Sequence, residues 1–513
     1  MYDVLIAGYG PTGMLAAILL GRAGHKVAVL ERYKTLYNLP RVGIVHDDVL
    51  RMFQEIRVID RILPATYLLP TYELGFHGEV LLSNDVAEME THGWPEMTSI
   101  YQPAFEAELD ITAKSLTSVD VFQGWTVSGL NQDGDGVDVS IESEGGKIRE
   151  LRGRYLIGAD GGNSFVRDAL GIGYEDLGFD QAWLVVDGKQ KRGRGDRPEL
   201  RQFCEPEQPG MTMQMGPDHR RWSFMIFDDE SPDEAVKPEN VWKRLDRPEG
   251  GTPDDFEIIR AVNYQFRSLI AERWQDRRVF LAGDSAHQMP PFLAQGMCSG
   301  FRDAHNISWK LDLVLHGLAT PALLETYEAE RGPSARATIV ESMKVGQNVN
   351  ERDPDKVQAR NDQLRAMQAE MQHGSGDKKL IGFRVPGFGA GLVLGTHGGS
   401  PIGQGKITIR TREGRFDDLV GHGFVIIARN GDARSVLSEE DLAFWAELGG
   451  KIVHIGAANS PLKDTDGYFT RLMDGIGCDV IVKRPDYYMF AAGNDVKDLP
   501  TLIAELRRRL QSA

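Results

Sequence analysis

The stretch Gly8-Tyr9-Gly10-Pro11-Thr12-Gly13 constrains this chain most, because of what flanks it. Asp3-Val4-Leu5-Ile6-Ala7 is a short apolar run of the kind that forms a strand buried in a parallel sheet. Met14 to Leu20 predicts a helix packed on that sheet. In such a unit Gly8 permits the tight turn, Gly10 lets the backbone approach a pyrophosphate, and Gly13 allows close helix–strand contact. The helix start offers unbonded N–H groups and a partial positive charge to phosphate. A second strand, Lys26 to Leu30, ends at Glu31, and a carboxylate there accepts from both hydroxyls of a ribose. The reading is a dinucleotide site. The alternative is an ordinary glycine-rich turn in an α/β domain, and the placing of strand, helix and acid weighs against it.

Composition narrows the partners. The chain has 513 residues, too many for one simple core, which predicts two or three domains. A formal charge of −17 argues against nucleic acid. No run of about 18 apolar residues occurs, so no membrane span is expected. The sequence opens on a core strand without a basic region and apolar leader, so no secretory signal is expected. Cys204, Cys298 and Cys478 are scattered, with no CxxC pair, zinc pattern or disulfide framework. A reducing cytoplasm fits, and dithiol chemistry is excluded.

Further along, Asp133-Gly134-Asp135-Gly136 marks a hairpin between alternating segments. Arg154 to Ile157 reads as a strand running into the turn Gly158-Ala159-Asp160-Gly161-Gly162-Asn163-Ser164. Residues 66–100 look less regular. Residues 181–268, rich in Trp, Phe and Met, read as an antiparallel sheet facing substrate. Arg278 to Ala282 returns as a parallel strand into Gly283-Asp284, and a long helix is expected from about Gly300 to Leu315. Residues 322–371 read as polar helix, and Gly374-Ser375-Gly376 as a flexible joint. Strands near 423–427, 451–454 and 479–482 and a helix from Leu499 to Leu510 predict a separate small α/β domain.

Asp284, at the end of its strand, suits a sugar-alcohol hydroxyl and would repel phosphate, which fits the ribityl chain of a flavin. Pro290-Pro291 stiffens the next loop. Gly296 lets backbone approach a flat ring. The N–H groups of Met297 and Cys298 begin a helix and can stabilise negative charge on the N1–C2=O edge of a reduced flavin. The alternative for this stretch is a strand–loop–helix turn with a capping aspartate.

Three motifs in order then resemble the single-component flavin-dependent aromatic hydroxylases. They are Gly8-x-Gly10-x-x-Gly13, Gly158-Ala159-Asp160-Gly161-x-x-Ser164-x-x-Arg167, and Gly283-Asp284-x-Ala286-His287-x-x-Pro290-Pro291. Gly300-Phe301-Arg302-Asp303-Ala304-His305-Asn306 and Leu324-x-x-Tyr327-x-x-Glu330-Arg331 extend the match. The nearest branch is the phenol and 3-(3-hydroxyphenyl)propionate hydroxylase type, which carries a C-terminal thioredoxin-like domain without redox cysteines. Asp417-Asp418-Leu419-x-Gly421-x-Gly423-Phe424 and Arg484-Pro485-Asp486 fit that domain. The implied fold is α/β: a Rossmann-like FAD-binding domain (1–75, 100–180 and 269–345), an interleaved antiparallel-sheet substrate domain (76–99 and 181–268), a helical linker (346–394), and a thioredoxin-like domain (395–513).

The resemblance implies FAD and NAD(P)H as cofactors and a small aromatic substrate. Hydride would reduce the FAD, O2 would add at C4a, and the hydroperoxide would hydroxylate a ring carbon ortho or para to a hydroxyl. Gly8, Gly10, Pro11, Thr12 and Gly13 would hold the pyrophosphate, and Glu31, with Arg32 next to it, the adenosine ribose. Arg41 would meet the flavin or the incoming nicotinamide phosphates, Gln102 the flavin, Val127 the adenine through its backbone, and Asp160 both cofactor paths. Asp284, Pro291, Gly296, Met297 and Cys298 would hold ribityl chain and ring. Position 298 is usually asparagine in this family, so a side-chain role is lost there while the backbone donor survives.

His46 and Pro291 are the candidate catalytic positions. His46 would remove the phenol proton if the loop from Arg41 to Asp48 faces the ring, and otherwise would cap the helix beginning near Asp47. His287 reads as structural. Tyr101 and Tyr264 are candidates for touching a phenol oxygen, and Met211 to Met215 with Trp222 and Phe224 for lining an apolar pocket. Arg201, Arg221 and Arg267 are candidates for a substrate carboxylate. The alternatives are hydroxylation of a polycyclic or antibiotic substrate, or a dehydrogenase without oxygen activation. A homodimer is left open.

Overall fold

A computed structural model describes residues 1–87, 91–193, 195–373, 384–456 and 462–512. Gly374-Ser375-Gly376 lies outside them. The first unit is built on a parallel sheet whose central strands run in the order Val279–Leu281, Ile148–Gly158, Tyr2–Ala7, Val27–Glu31, Val119–Gln123. The register pairs Ala7 with both Gly158 and Leu30, and Gly158 with Leu281. The strands therefore end in line. The turns at Gly8, Glu31, Gly158 and Gly283 all leave one carboxyl edge, where an open α/β sheet binds its ligand. Helix Pro11–Arg22 is buried from Gly13 to Ile18 and packs against helix Gly296–Leu315.

The second sheet has eight strands in one continuous order, with Tyr174–Gln190 and Phe256–Ala271 as its long antiparallel pair. Both of these strands cross the expected domain boundaries, at 180/181 and at 268/269. The boundary at 75/76 is likewise overturned: Thr71–Phe76 pairs with Glu79–Asp85 and Leu200–Phe203 in the substrate sheet. Residues 66–100, expected to be irregular, are largely strand. Ile44–His46 and Thr66–Leu68 pair with Met97–Ile100 in a small bridging sheet. The units share long twisted strands, so the chain changes unit inside hydrogen-bonded ladders and not at polar loops. That is why composition misplaces the joints.

The long helix begins at Gly296, one turn before the expected Gly300. The expected linker is not free-standing. Helix Pro354–Gln372 lies on the substrate sheet, where Gln368 accepts from the Ser83 N–H at 2.7 Å. The C-terminal unit has the strand order Lys451–His454, Val425–Ala428, Val480–Lys483, Met489–Gly493. The first pair is parallel and the next two are antiparallel, the arrangement of a thioredoxin-like sheet. Its attachment combines apolar packing, with Phe424 edge-on to Trp309 in one continuous core, and buried ion pairs. Arg51 donates to Asp417 at 2.6 Å, and Arg484 donates to Glu330 at 2.7 and 2.8 Å, all side chains fully buried. Lys310 adds a second cation on Glu330 at 2.7 Å.

Burial by itself would raise the Glu330 carboxyl; Arg484 and Lys310 outweigh it and hold it far below its ordinary 4.5. Burial likewise opposes Glu55, which His305 and His422 bring down to about 2. A carboxyl depressed in the folded chain adds stability above its unfolded pKa, and that stability drains as pH falls toward the folded value. The melting temperature should therefore drop steeply between about pH 5 and about pH 3. Glu330→Gln, already lacking the charge, should show a shallower drop in the same calorimetric series. Equal slopes would remove this interface from the acid sensitivity.

Candidate active site

The glycine turn is shaped as the sequence requires. Gly8 has φ +99°, and a Cβ there would meet the Ala159 carbonyl oxygen at 2.2 Å. A Cβ on Gly13 would meet the Gly8 carbonyl oxygen at 2.1 Å. Gly10 differs, because its Cβ would enter open space. The cradle at Gly10 is thus closed by the fold below and free above, where a pyrophosphate would lie. Glu31 accepts from the Tyr9 and Tyr33 N–H groups, each at 2.9 Å, one per carboxylate oxygen. Each oxygen keeps a lone pair for a ribose hydroxyl. Arg32 is exposed and lies over Tyr33, and Val127 sits half-buried on the adjoining hairpin.

Thr12 joins the separated motifs. Cβ atoms added to Gly283 and Gly300 would meet its Oγ1 at 2.9 and 2.4 Å. Its side chain is therefore wedged between the aspartate turn and the second helix, leaving only its backbone for a cofactor. Asp160 accepts from Ser164 Oγ at 2.5 Å and from the Val166 N–H at 3.1 Å, holding the second glycine turn closed. Burial pushes its carboxyl up. Asp284 is ringed by protein yet open to the groove; burial pushes its carboxyl up, while His287 and Arg41 pull it down. His287 is structural: its Nε2 lies 2.7 Å from Asp303.

A cavity of about 380 Å³ runs between the carboxyl edge and the second sheet. Asp284, Pro291, Gly296 and Met297 form one wall, with Arg41, Val42 and Gly43 beside them. The first N–H groups of helix Gly296–Leu315 have no acceptor within the helix, since bonding starts with Ser299 N–H to Gln295 at 2.8 Å. The loop before it is tightened by Ala294, held at φ +55°. Cys298 is turned away from this wall. Its buried thiol lies against the His46 backbone, and burial pushes it up to about 12. The asparagine-to-cysteine departure therefore changes a core side chain.

Other expectations are corrected. His46 lies behind the cavity wall: buried, with Nε2 3.3 Å from the Leu293 carbonyl. Burial, with Arg302 nearby, pulls it down to about 4. It is buried and does not line the cavity, which sets it apart from a substrate proton. It is the N-cap residue of helix Asp47–Glu55 without a side-chain cap. Gln102 does not present its amide to the cavity; its Oε1 accepts from the Arg41 and Val42 N–H groups at 2.8 and 2.6 Å, and its Nε2 donates to Glu106. It holds the loop that carries Arg41. Tyr101 stacks on His219 at 3.9 Å, outside the cavity. Met211 and Met213 line the cavity, whereas Trp222 and Phe224 alternate to the opposite, core face.

Register explains the far wall. Tyr72, Leu200, Met213, Arg221, Asp187 and Arg260 form one row across the sheet, and Gln202, Met211, Ser223 and Val185 the next. Arg221 donates to Asp187 at 2.7 and 3.0 Å and to the carbonyls of Arg41 and Pro40 at 2.7 and 3.0 Å. Arg260 reaches Tyr264 Oη at 3.1 Å. Tyr72 Oη, Trp183 Nε1 and Gln202 Oε1 are buried and have no hydrogen-bond partner. No spacing rule could have found them, since they meet only through strand pairing.

Residues 1–342 match the FAD binding domain family, and residues 399–509 the HcaD C-terminal domain family. The chain belongs to the single-component FAD-dependent aromatic hydroxylases. It is 39% identical over 510 residues to the "Probable NADH-specific resorcinol 4-hydroxylase" of Rhodococcus jostii (strain RHA1), covering 98% of this chain and 94% of that protein. It is 32% identical over 469 residues to the "3-(3-hydroxy-phenyl)propionate/3-hydroxycinnamic acid hydroxylase" of Mycobacterium avium (strain 104), covering 88% and 80%. Aklavinone-11 hydroxylase, solved with FAD and aklavinone, shares the fold at TM-score 0.80, with 24% identity and 99% of each chain covered. The monooxygenase PieE, solved with FAD and substrate, does so at 0.82, with 20% identity and 99% of each chain covered. No helix among the described residues is long and apolar enough to cross a membrane.

The open space at Gly10 gives a direct check. Its φ of −80° suits any residue, so Gly10→Val should fold normally. The added side chain should weaken FAD binding by about 100-fold, roughly 2.7 kcal/mol. Flavin titration of the stripped protein reads it, and unaltered affinity would move the pyrophosphate elsewhere.

Proposed function

We propose that this enzyme hydroxylates a small, uncharged dihydroxybenzene of the resorcinol type, with NADH as electron donor and O2 as oxygen source. The observation that carries the reading is the charge state of the cavity wall. Arg221 lines it, but Asp187 and two backbone carbonyls engage its donors. Arg41 and Arg267 line it near the mouth, with side chains 45% and 52% exposed. Arg201 is paired with Glu73 and Glu249 and is not a lining residue. The inner wall therefore holds no uncompensated cation for a carboxylate and offers neutral hydrogen-bonding groups instead. The relative named for resorcinol and NADH supports the same choice over the relatives named for a carboxylated substrate.

In this reading Gly8, Gly10 and Gly13 cradle the FAD pyrophosphate, with Pro11 and Thr12 fixing the turn. Glu31 takes the adenosine ribose beside Arg32 and Val127, and Asp160 supports the second turn. Asp284 takes the ribityl chain, and the N–H groups of Gly296, Met297 and Cys298 face the ring. Arg41, held in place through Gln102, meets the nicotinamide phosphates. Bound FAD supplies hydride acceptance and transfer of an oxygen atom to the ring. The chain's own part is placement and dryness. Gln202 Oε1 accepts from one substrate hydroxyl, and Tyr72 and Trp183 supply the neighbouring polar contacts. Met211, Met213 and Phe292 exclude water around the ring. Pro291 acts through its stiff backbone beside the reacting face. Two ring hydroxyls already activate the carbon, which lowers the demand for a strong base. Three free, buried cysteines support a reducing cytoplasm as the location.

The test is substrate-stimulated NADH oxidation with oxygen uptake and product identification. Resorcinol should be hydroxylated with little H2O2 release. The kcat/KM for 3-(3-hydroxyphenyl)propionate should be lower by at least about tenfold, the scale of about 1.4 kcal/mol for an unpaired charge. Gln202→Leu should lower kcat/KM for resorcinol by about 10- to 100-fold, since a hydroxyl left unpaired costs about 1–3 kcal/mol. Its effect on phenol should be much smaller. A preference for the carboxylated substrate would overturn the reading.

A further inference from the structure

Far from the cavity, the C-terminal ends of the two cofactor-facing helices converge. His25 follows helix Pro11–Arg22 through Gly24, held at φ +94°. Asp312 lies in the last turn of helix Gly296–Leu315, and His316 is its C-cap. His25 Nε2 is 2.7 Å from Asp312 Oδ1, and His316 Nδ1 is 2.9 Å from the same oxygen. The imidazole rings lie 4.6 Å apart. The ligand atoms of all three residues fall within 4.8 Å of one another. Four ligand atoms around one Zn2+, each bonded at about 2.0–2.1 Å, stand roughly 3.3 Å apart, so small side-chain shifts suffice here. His25 is buried, Asp312 one-third exposed and His316 half-exposed, which leaves a fourth position open to water. The helix carries no basic residue in its last turn, so the negative end of its dipole has no side-chain cation.

We propose that His25, Asp312 and His316 bind one divalent transition-metal ion, of which Zn2+ is the type. Two imidazoles and a carboxylate suit Zn2+ or Co2+ and disfavour Ca2+ and Mg2+. Any proton on His25 Nε2 or His316 Nδ1 moves to the other ring nitrogen or to solvent when the lone pair binds metal. The ion touches neither substrate nor FAD. It acts as a clamp: joining the C-ends of two packed helices fixes the spacing of their N-ends, which face the cofactor.

The FAD-loaded enzyme, freed of metal with a chelator, is titrated with ZnCl2 by calorimetry and with CoCl2 by visible absorption. The expected result is one ion per chain, tetrahedral Co2+ bands, and a melting temperature raised by saturating Zn2+. His316→Ala, on the exposed side, should bind Zn2+ at least about tenfold more weakly while keeping its FAD and metal-free activity. Asp312→Asn provides a second variant with the same expected loss. Absence of saturable binding at one ion per chain, or equal Zn2+ affinity in both variants and the unaltered enzyme, would overturn the site.

Discussion

Everything in the active site rests on one buried carboxylate. Asp303 accepts from the Gly283 N–H at 3.0 Å and from Arg331 at 2.8 Å, and its other contact is His287 Nε2 at 2.7 Å. It thereby ties the aspartate turn, helix Gly296–Leu315 and helix Ala322–Val349 into one piece. Burial alone would raise its pKa; His287 and Arg331 outweigh that and hold it ionised. A buried ion group of this kind is an expensive way to gain stability, but breaking it costs about 3–5 kcal/mol, because the partners stay behind uncompensated. The network therefore enforces one geometry. Thr12 then transmits that geometry to the first glycine turn by packing between Gly283 and Gly300.

The cofactor half of the molecule was legible in the sequence because its information is local. A glycine that must approach a backbone, as Gly8 and Gly13 do, advertises itself within a few residues of the strand and helix it joins. The register of four parallel strands then brings the separate turns to one edge. His287 was likewise read correctly as structural, because its motif belongs to the turn. His46 misled for a physical reason. Its loop does face the cavity at Arg41 to Ile44, but His46, two residues further on, is already covered by protein, with its Nε2 against the Leu293 carbonyl.

The substrate half was not legible, because its wall is made of pairs that only strand register brings together. Tyr72 and Gln202 stand in different rows of the same face, on strands separated by more than a hundred residues. Between them and Arg260 lies Asp187, fully buried and gripped by both Arg221 and Arg260. An arginine seen in sequence invites assignment to a substrate carboxylate. The sheet shows that Arg221 is already committed to Asp187 and to the loop at Pro40 and Arg41. The same row thus neutralises the wall and fastens the substrate sheet to the cofactor loop. Neutralisation of the cavity wall and attachment of the two units come from one set of ion pairs.

The C-terminal unit follows from the same electrostatics. Its one cysteine, Cys478, is buried, and the unit supplies Asp417 to Arg51 and Arg484 to Glu330 across a dry interface. Separating the units would deprive Arg51 of its carboxylate and leave Glu330 with Lys310 alone, at a cost of several kcal/mol. Helix Asp47–Glu55 receives one of these ion pairs, and the other closes on Lys310 and Asn306 of helix Gly296–Leu315. The unit therefore presses on the cofactor domain from behind. That contact bears on the helix whose first N–H groups stand at the cavity wall. The thioredoxin-like unit thus acts as a brace, held by buried charge and by apolar packing.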